Sequence, residues 1–401
     1  MSYLLNVDIL YHVLQHAVES NPNDPLTHRA QREALYTYAL VSRMWSRIAQ
    51  SLLFRHVFLQ IRTAMLAFLG VIDHKTERGR RLASHVRVAT IKLSRASESS
   101  DPPFLPMIHP RHLPALLAHL PSLHELQLRV GSQSFGEEDL ASMRGLSSIR
   151  VLALSDAGPS YYQSFEALKV VGLWGSLQSL ALSILPESPG TLLPPPSFAL
   201  REFHGPSMSG YDSPDTAQWI LKRSVGVLEH CTLGVILSVR SLRTTLSDHF
   251  STIRSLTLGQ VQWDEEVCDV LYNFANLIEL RIVQFICLMG PRFPGKLPNT
   301  LQYLTFAIPA YKGSTSPHRN IEFKNIIPTQ LKTYTTIFRE TGRLNNEYDP
   351  FTAWAKGYEQ DCRHMGVDVR VISLRASIPG GGELCFSSHR KSPTLIAHHS
   401  G

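Results

Sequence analysis

Cysteine is sparse in this chain of 401 residues: five occur, Cys231, Cys268, Cys287, Cys362 and Cys385, with no Cys-x-x-Cys pair. A scattered, odd-numbered set argues against a disulfide framework and fits a reducing compartment. No Asn-x-Ser/Thr acceptor occurs, and no apolar run approaches the roughly twenty residues that cross a bilayer. The opening MSYLLNVDILYHVLQHAV carries Asp8, His12 and His16 inside its apolar run and lacks a basic lead, so it does not read as a signal peptide. Walker loop, Rossmann glycines, G-x-S-x-G elbow and kinase motifs are all missing. These absences predict an intracellular chain, cytoplasmic or nuclear, with no membrane partner, no cofactor and no catalytic or metal site.

What is present is ordinary for a globular protein: 43% hydrophobic and 18% charged residues, with length enough for more than one structural unit. The net charge of +6 is modest and does not by itself name nucleic acid as a partner. The basic run from His74 to Arg81 has no interleaved aromatics for base stacking, so it reads as a solvated helix end or loop. His12 and His16 stand at i, i+4 without a third ligand nearby, and Cys362 lies on an apolar stripe and reads as core rather than as a partner of His364. Gly380 to Gly382 reads as a flexible linker, and Asp264, Glu265 and Glu266 as complements to a helix dipole.

The first helix is expected over residues 6 to 18, with Leu10, Val13, Leu14, Ala17 and Val18 on its apolar face and Asn6 or Asp8 as cap. The turn SNPNDP ends it. A long second helix then runs to about Leu53, its stripe formed by Tyr38, Val41, Trp45, Ile48, Ala49 and Leu52. From Arg55 to Ile61 the sequence RHVFLQI switches to a strand pattern.

These residues resemble an F-box motif of the degenerate type found in fungal proteins. Leu5, Asp8, Ile9 and Leu10 match the family's opening Leu-Pro-x-Glu-Ile-Leu, with Asn6 in place of its proline, and Leu40, Val41, Ser42, Trp45 and Ile48 match its second half. The resemblance covers about 55 residues. It implies a substrate-recognition subunit of a cullin–RING (SCF-type) ubiquitin ligase, in which the helices bind a Skp-type adaptor. Leu5, Ile9, Leu10, Leu40, Val41, Trp45 and Ile48 are the adaptor-binding candidates it implies. An ordinary helical hairpin capping the rest of the chain is the plainer alternative.

Downstream the pattern L-x-x-L-x-L recurs: Leu123-Leu126-Leu128, Ile149-Leu152-Leu154, Leu177-Leu180-Leu182, Ile253-Leu256-Leu258, Leu277-Leu280-Ile282 and Leu301-Leu304-Phe306. Weaker copies are Val88-Ile91-Leu93, Leu200-Phe203, Leu228-Cys231-Leu233, Leu331-Tyr334 and Val369-Ile372-Leu374. Central positions 126, 152, 180, 203, 231, 256, 280 and 304 are spaced by 23 to 28 residues, the period of leucine-rich repeats. Between strands, His109 to Pro121, Thr216 to Gly226 and Asp264 to Asn276 show helical spacing, with Asp215 and Asp264 as N-caps. The asparagine expected three residues after the last leucine is missing; Gly131, Ala157, Leu185, Val261, Phe285 and Pro309 stand there, so another device must satisfy the backbone. Pro/Ser-rich loops are expected at Arg95 to Pro106, Ile184 to Ser197 and Tyr311 to Asn320. A final helix opens at Asp349 and Pro350, carries Phe351, Trp354, Ala355, Tyr358, Cys362 and Met365 on one face, and ends at Gly366.

The fold class predicted is therefore α/β: an N-terminal helical F-box-like unit over 1–55, an irregular LRR-like horseshoe over 56–376, and a disordered tail over 377–401. Residues alternating with the inward leucines face the hollow of such a sheet. Among them Glu125, Arg129, Glu202, His204, Glu279, Arg281 and Tyr303 are the candidates for holding a target protein through charged or aromatic contacts. Two alternatives stand beside the receptor reading. One is an LRR-like interaction scaffold unconnected with ubiquitin; the other is a basic nucleic-acid binder, which the lack of stacking aromatics disfavours.

Overall fold

The computed structural model describes residues 7–18, 25–93, 107–130, 135–145, 149–156, 164–183, 194–205, 214–236, 239–262, 265–286, 297–309, 328–340 and 359–375. It is mixed α/β, with twelve parallel strands that follow one another in chain order in a single sheet. No helix among the described residues is long and apolar enough to cross a membrane. The chain forms two compact units, one up to Arg150 and one from Val151 onward.

The first unit opens with three helices, α1 (Val7–Val18), α2 (Pro25–Ala39) and α3 (Arg43–Arg55). Pro25 starts α2, where its fixed φ and missing N–H cost nothing. The expected long second helix is in fact two. At Ser42 the backbone is extended (φ −161°, ψ 168°), and its hydroxyl accepts the Trp45 amide at 3.3 Å as the N-cap of α3. A serine side chain competes with the helical ladder for backbone donors, so the chain breaks where the apolar stripe alone runs on. The three helices close on Leu10, Leu14 and Ile48, with Tyr11, Tyr38, Met44, Trp45 and Leu52 packed around them. Val13, placed on the buried face by its spacing, is exposed instead, because Leu10 and Leu14 are the residues that turn into the helical core. Asp8 lies inside the first turn of α1 rather than capping it, where its charge complements the dipole. Leu5 and Asn6 lie outside the described residues.

Strand β1 (His56–Leu59) follows directly, then α4 (Arg62–Val71), α5 (Glu77–His85), β2 (Val88–Leu93), α6 (Leu113–Ala118), β3 (Glu125–Val130) and α7 (Glu137–Arg144). The basic run becomes α5, capped by the Thr76 hydroxyl accepting the Gly79 amide at 2.9 Å. Gly79 rests on the Asp73 backbone, where a Cβ would stand 2.1 Å from the carbonyl oxygen. The expected first repeat is offset by two residues: Ala89 and Ile91 pair with Leu126 and Leu128. A shift of two keeps each side chain on its face, so Ile91 and Leu93 stay buried.

The second unit holds β4 (Val151–Asp156), α8 (Ser164–Val171), β5 (Ser179–Leu182), β6 (Glu202–His204), α9 (Pro214–Leu221), β7 (His230–Ile236), α10 (Val239–Leu246), β8 (Ser255–Gln262), α11 (Glu265–Tyr272), β9 (Glu279–Ile286), β10 (Tyr303–Pro309), β11 (Thr333–Glu340) and β12 (Asp368–Arg375). Leu152, Leu180, Phe203, Cys231, Leu256, Leu280, Leu304 and Tyr334 stand in one register row, all buried. Val369, not Ile372, continues this row in the last strand. The leucine, isoleucine or valine before each strand is buried as well, and α9, α10 and α11 add Ile220, Leu221, Leu242, Leu246, Val267, Val270 and Leu271. Alternation with period 2 on strands and 3.6 on helices thus feeds one continuous apolar layer.

At Val261, Phe285 and Pro309 the missing asparagine has a structural replacement; Gly131, Ala157 and Leu185 lie outside the described residues. Val261 pairs with Phe285, and Pro309 stands opposite Arg339, because these strands run eight, eight, seven and eight residues and extend the ladder past the leucines. Neighbouring strands satisfy backbone groups that a side-chain amide would otherwise serve. At Gly234 and Gly259 two strands approach so closely that a Cβ on Gly259 would lie 1.9 Å from the Gly234 oxygen. Asp215 is the second residue of α9, not its cap, since Pro214 already begins the helix. Helical residues 359–364 end at Gly366, whose φ of +77° suits glycine as expected. Asp264, residues 349–358, the expected loops at 95–106 and 311–320, and the tail 377–401 lie outside the described residues.

Candidate functional site

The helical surface is sorted by burial. Of the seven adaptor-binding candidates, Leu10 (1% exposed) and Ile48 (6%) are core, and Trp45 is half-buried beside Tyr38, ring centroids 5.7 Å apart. Ile9 (56%), Leu40 (87%) and Val41 (60%) are exposed, and Leu5 is outside the described residues. Leu40 and Val41 form the turn between α2 and α3, just ahead of the Ser42 cap, and their amides donate to the Thr37 and Tyr38 carbonyls. Val13, expected on the packed face of α1, and Tyr36, which the sequence pattern did not single out, join them as exposed apolar side chains. Four residues separate Val13 from Ile9 and Leu40 from Tyr36, one helical turn, which is the signal that points to both.

On the first unit's sheet face, His56 Nε2 meets the Thr90 hydroxyl at 2.9 Å, Thr90 donates to Gln127 Oε1 at 2.9 Å, and Gln127 Nε2 donates to Glu125 at 2.7 Å. With the Thr90 proton committed to Gln127, His56 Nε2 is the donor. Glu125 is therefore occupied by its own strand. Arg129 is exposed, and Lys92 stands opposite it in register.

On the second unit's face, one row runs Ser179, Glu202, His230, Ser255, Glu279, Tyr303, Thr333 and Asp368, and the next runs Ala181, His204, Thr232, Thr257, Arg281, Thr305, Thr335 and Arg370. Glu279 accepts from Arg281 Nε at 2.7 Å and from the Ser255 hydroxyl at 2.9 Å. Arg370 repeats the pairing with Asp368 at 2.9 Å. His204 Nδ1 lies 3.1 Å from the Thr232 hydroxyl. Burial lowers the His204 pKa below 6.5, with Glu202 opposing and His230 assisting, so the ring is neutral near pH 7. Glu202, His204, Glu279, Arg281 and Tyr303 thus share one surface, with Tyr303 exposed on it. His230 and Ser255, absent from the sequence-derived set, belong to the same row. Glu229-His230 and Arg254-Ser255 precede weak or well-formed repeats, and counting back one residue from Cys231 and Leu256 finds them.

Cys231, Cys268 and Cys362 are buried, and burial pushes Cys231 and Cys362 up to about 12, far from the thiolate. Among the described residues no three of His, Cys, Asp or Glu gather as a metal site. In comparison with known proteins, the chain matches no family model and no curated sequence.

Proposed function

We propose that this chain is a substrate receptor of an SCF-type ubiquitin ligase. Its three N-terminal helices dock a Skp-type adaptor through Ile9, Leu40 and Val41. The twelve strands form a leucine-rich-repeat-like horseshoe whose polar face holds a target protein. The chain breaks no bond itself; it raises the local concentration of a target lysine near the charged ubiquitin carrier. The observation carrying this reading is that the motif's apolar positions divide, with Leu10 and Ile48 spent on the helical core while Ile9, Leu40 and Val41 remain exposed. A helical cap serving only its own body has no use for that exposed set.

Co-expression of the full chain with the adaptor, followed by gel filtration, tests it. A stoichiometric complex is expected, lost on Leu40→Asp or Ile9→Asp with the circular dichroism spectrum unchanged. A folded chain that never co-elutes leaves an interaction scaffold with a helical lid and sinks the receptor assignment.

A further inference from the structure

The net positive charge is concentrated: between Arg55 and Lys92 stand eight Lys and Arg residues against two carboxylates, Asp73 and Glu77. The fold turns part of this into a ridge. At the N-terminal rim of the first unit's strands the residue before each strand is tied to its neighbour through the main chain. The Arg87 amide donates to the Arg55 carbonyl at 3.0 Å, His124 to Arg87 at 2.9 Å, and Arg150 to His124 at 2.9 Å. All four side chains are exposed. Arg81 and Arg87 also lie close enough to His85 to lower its pKa, after burial, which is the larger cause. The second unit's rim is built by the same hydrogen bonds, but there Glu229 separates Arg201 from Arg254, and Ile278 and Gln302 separate Arg254 from Lys332. Among the described residues, the first unit's row holds three arginines with no carboxylate between them, whereas Glu229 stands in the second unit's row.

We infer that the ridge Arg55–Arg87–His124–Arg150 is a docking surface for an acidic helix of a partner protein, with carboxylates aligned along one side. Spacing selects the helix. Adjacent strands lie about 4.8 Å apart, so the four rungs span about 14 Å. A helix repeats a given side about every 5.4 Å, covering about 16 Å in three turns and staying within about 2 Å of the ridge. An extended chain repeats a face about every 6.7 Å, covers about 20 Å in three steps, and runs out of phase. No Phe, Tyr or Trp stands on the ridge to stack bases, which disfavours a single nucleic-acid strand. Arginine forks suit carboxylate pairs.

The probe is a fluorescent Ala/Glu helical peptide with its glutamates on one side, titrated against the full chain at low ionic strength by anisotropy. Comparators are a peptide of identical composition with glutamates distributed around the helix, and duplex DNA of matched charge. The one-sided peptide is expected to bind tightest. Arg55→Gln, Arg87→Gln and Arg150→Gln should each weaken it about 2- to 5-fold, and together about 10- to 100-fold. The triple Arg201→Gln, Arg254→Gln, Lys332→Gln should leave it within about 2-fold, and the single variants carry the test if the ridge triple does not fold. Equal losses in both triples, equal affinity for the two peptides, tightest binding to DNA, or no binding at all would each overturn the assignment.

Discussion

At the scale of single residues, the buried histidines set the pH response. His249 is buried with its Nδ1 lacking a hydrogen-bond partner, and desolvation lowers its pKa below 6.5 against the opposing charge of Asp248. His204 is lowered for the same leading reason. Above pH 6.5 both rings are neutral folded or unfolded, and they add no slope. As pH falls below 6.5 the unfolded chain takes up protons that the folded chain resists, so stability drops. Urea unfolding at pH 7.5 and 5.5 is expected to show a falling midpoint, and His249→Leu should make that fall smaller. An unchanged fall in the variant would remove His249 from the account. Burial of this kind is invisible in the local sequence: nothing in SDHF tells the buried His249 from an exposed histidine such as His124.

Among elements, the break between α2 and α3 rests on one side chain. Ser42→Ala removes the cap that receives the Trp45 amide, and should cost about 1 kcal/mol, read as a lower thermal midpoint of the full chain. Ser42→Asp should restore it. The loss matters beyond stability, since the same turn presents Leu40 and Val41. If Ser42→Ala leaves the melt unchanged, the cap does not hold this turn. The helix periodicity of this stretch was readable from spacing, but the break was not. An apolar stripe counts side chains, whereas the cap is a competition for backbone donors at one position.

Across the whole molecule, strands that pair with their sequence neighbours confine each perturbation to nearby repeats. Phe306 and Tyr334 sit in adjacent rows with ring centroids 6.2 Å apart, whereas Phe203 lies on β6, four strands from β10 and so about 19 Å away. Phe203→Leu and Phe306→Leu should therefore add to within about 0.5 kcal/mol. Phe306→Leu and Tyr334→Leu should couple by about 0.5–1.5 kcal/mol. A double-mutant cycle by urea unfolding checks both, and strong coupling in the distant pair would show that the sheet transmits strain along its length.

The leucine spacing alone determined that Leu152, Leu180, Phe203, Cys231, Leu256, Leu280 and Leu304 form the central buried row, and that polar residues such as Glu279 and Arg281 alternate with them. It could do so because strand periodicity is local: every second side chain shares a face whatever the partner strand. Only the tertiary structure decided which of the motif's apolar residues are core and which are surface. Leu10 and Ile9 are adjacent and equally apolar, and what separates them is the position of α2 and α3 around α1. The offset of the first repeat, the arrival of Val369 rather than Ile372 in the last, and the stacking of Arg55, Arg87, His124 and Arg150 into one rim were likewise fixed by inter-strand register. Register is a relation between segments some 25 to 37 residues apart, set by packing and hydrogen bonding across strands.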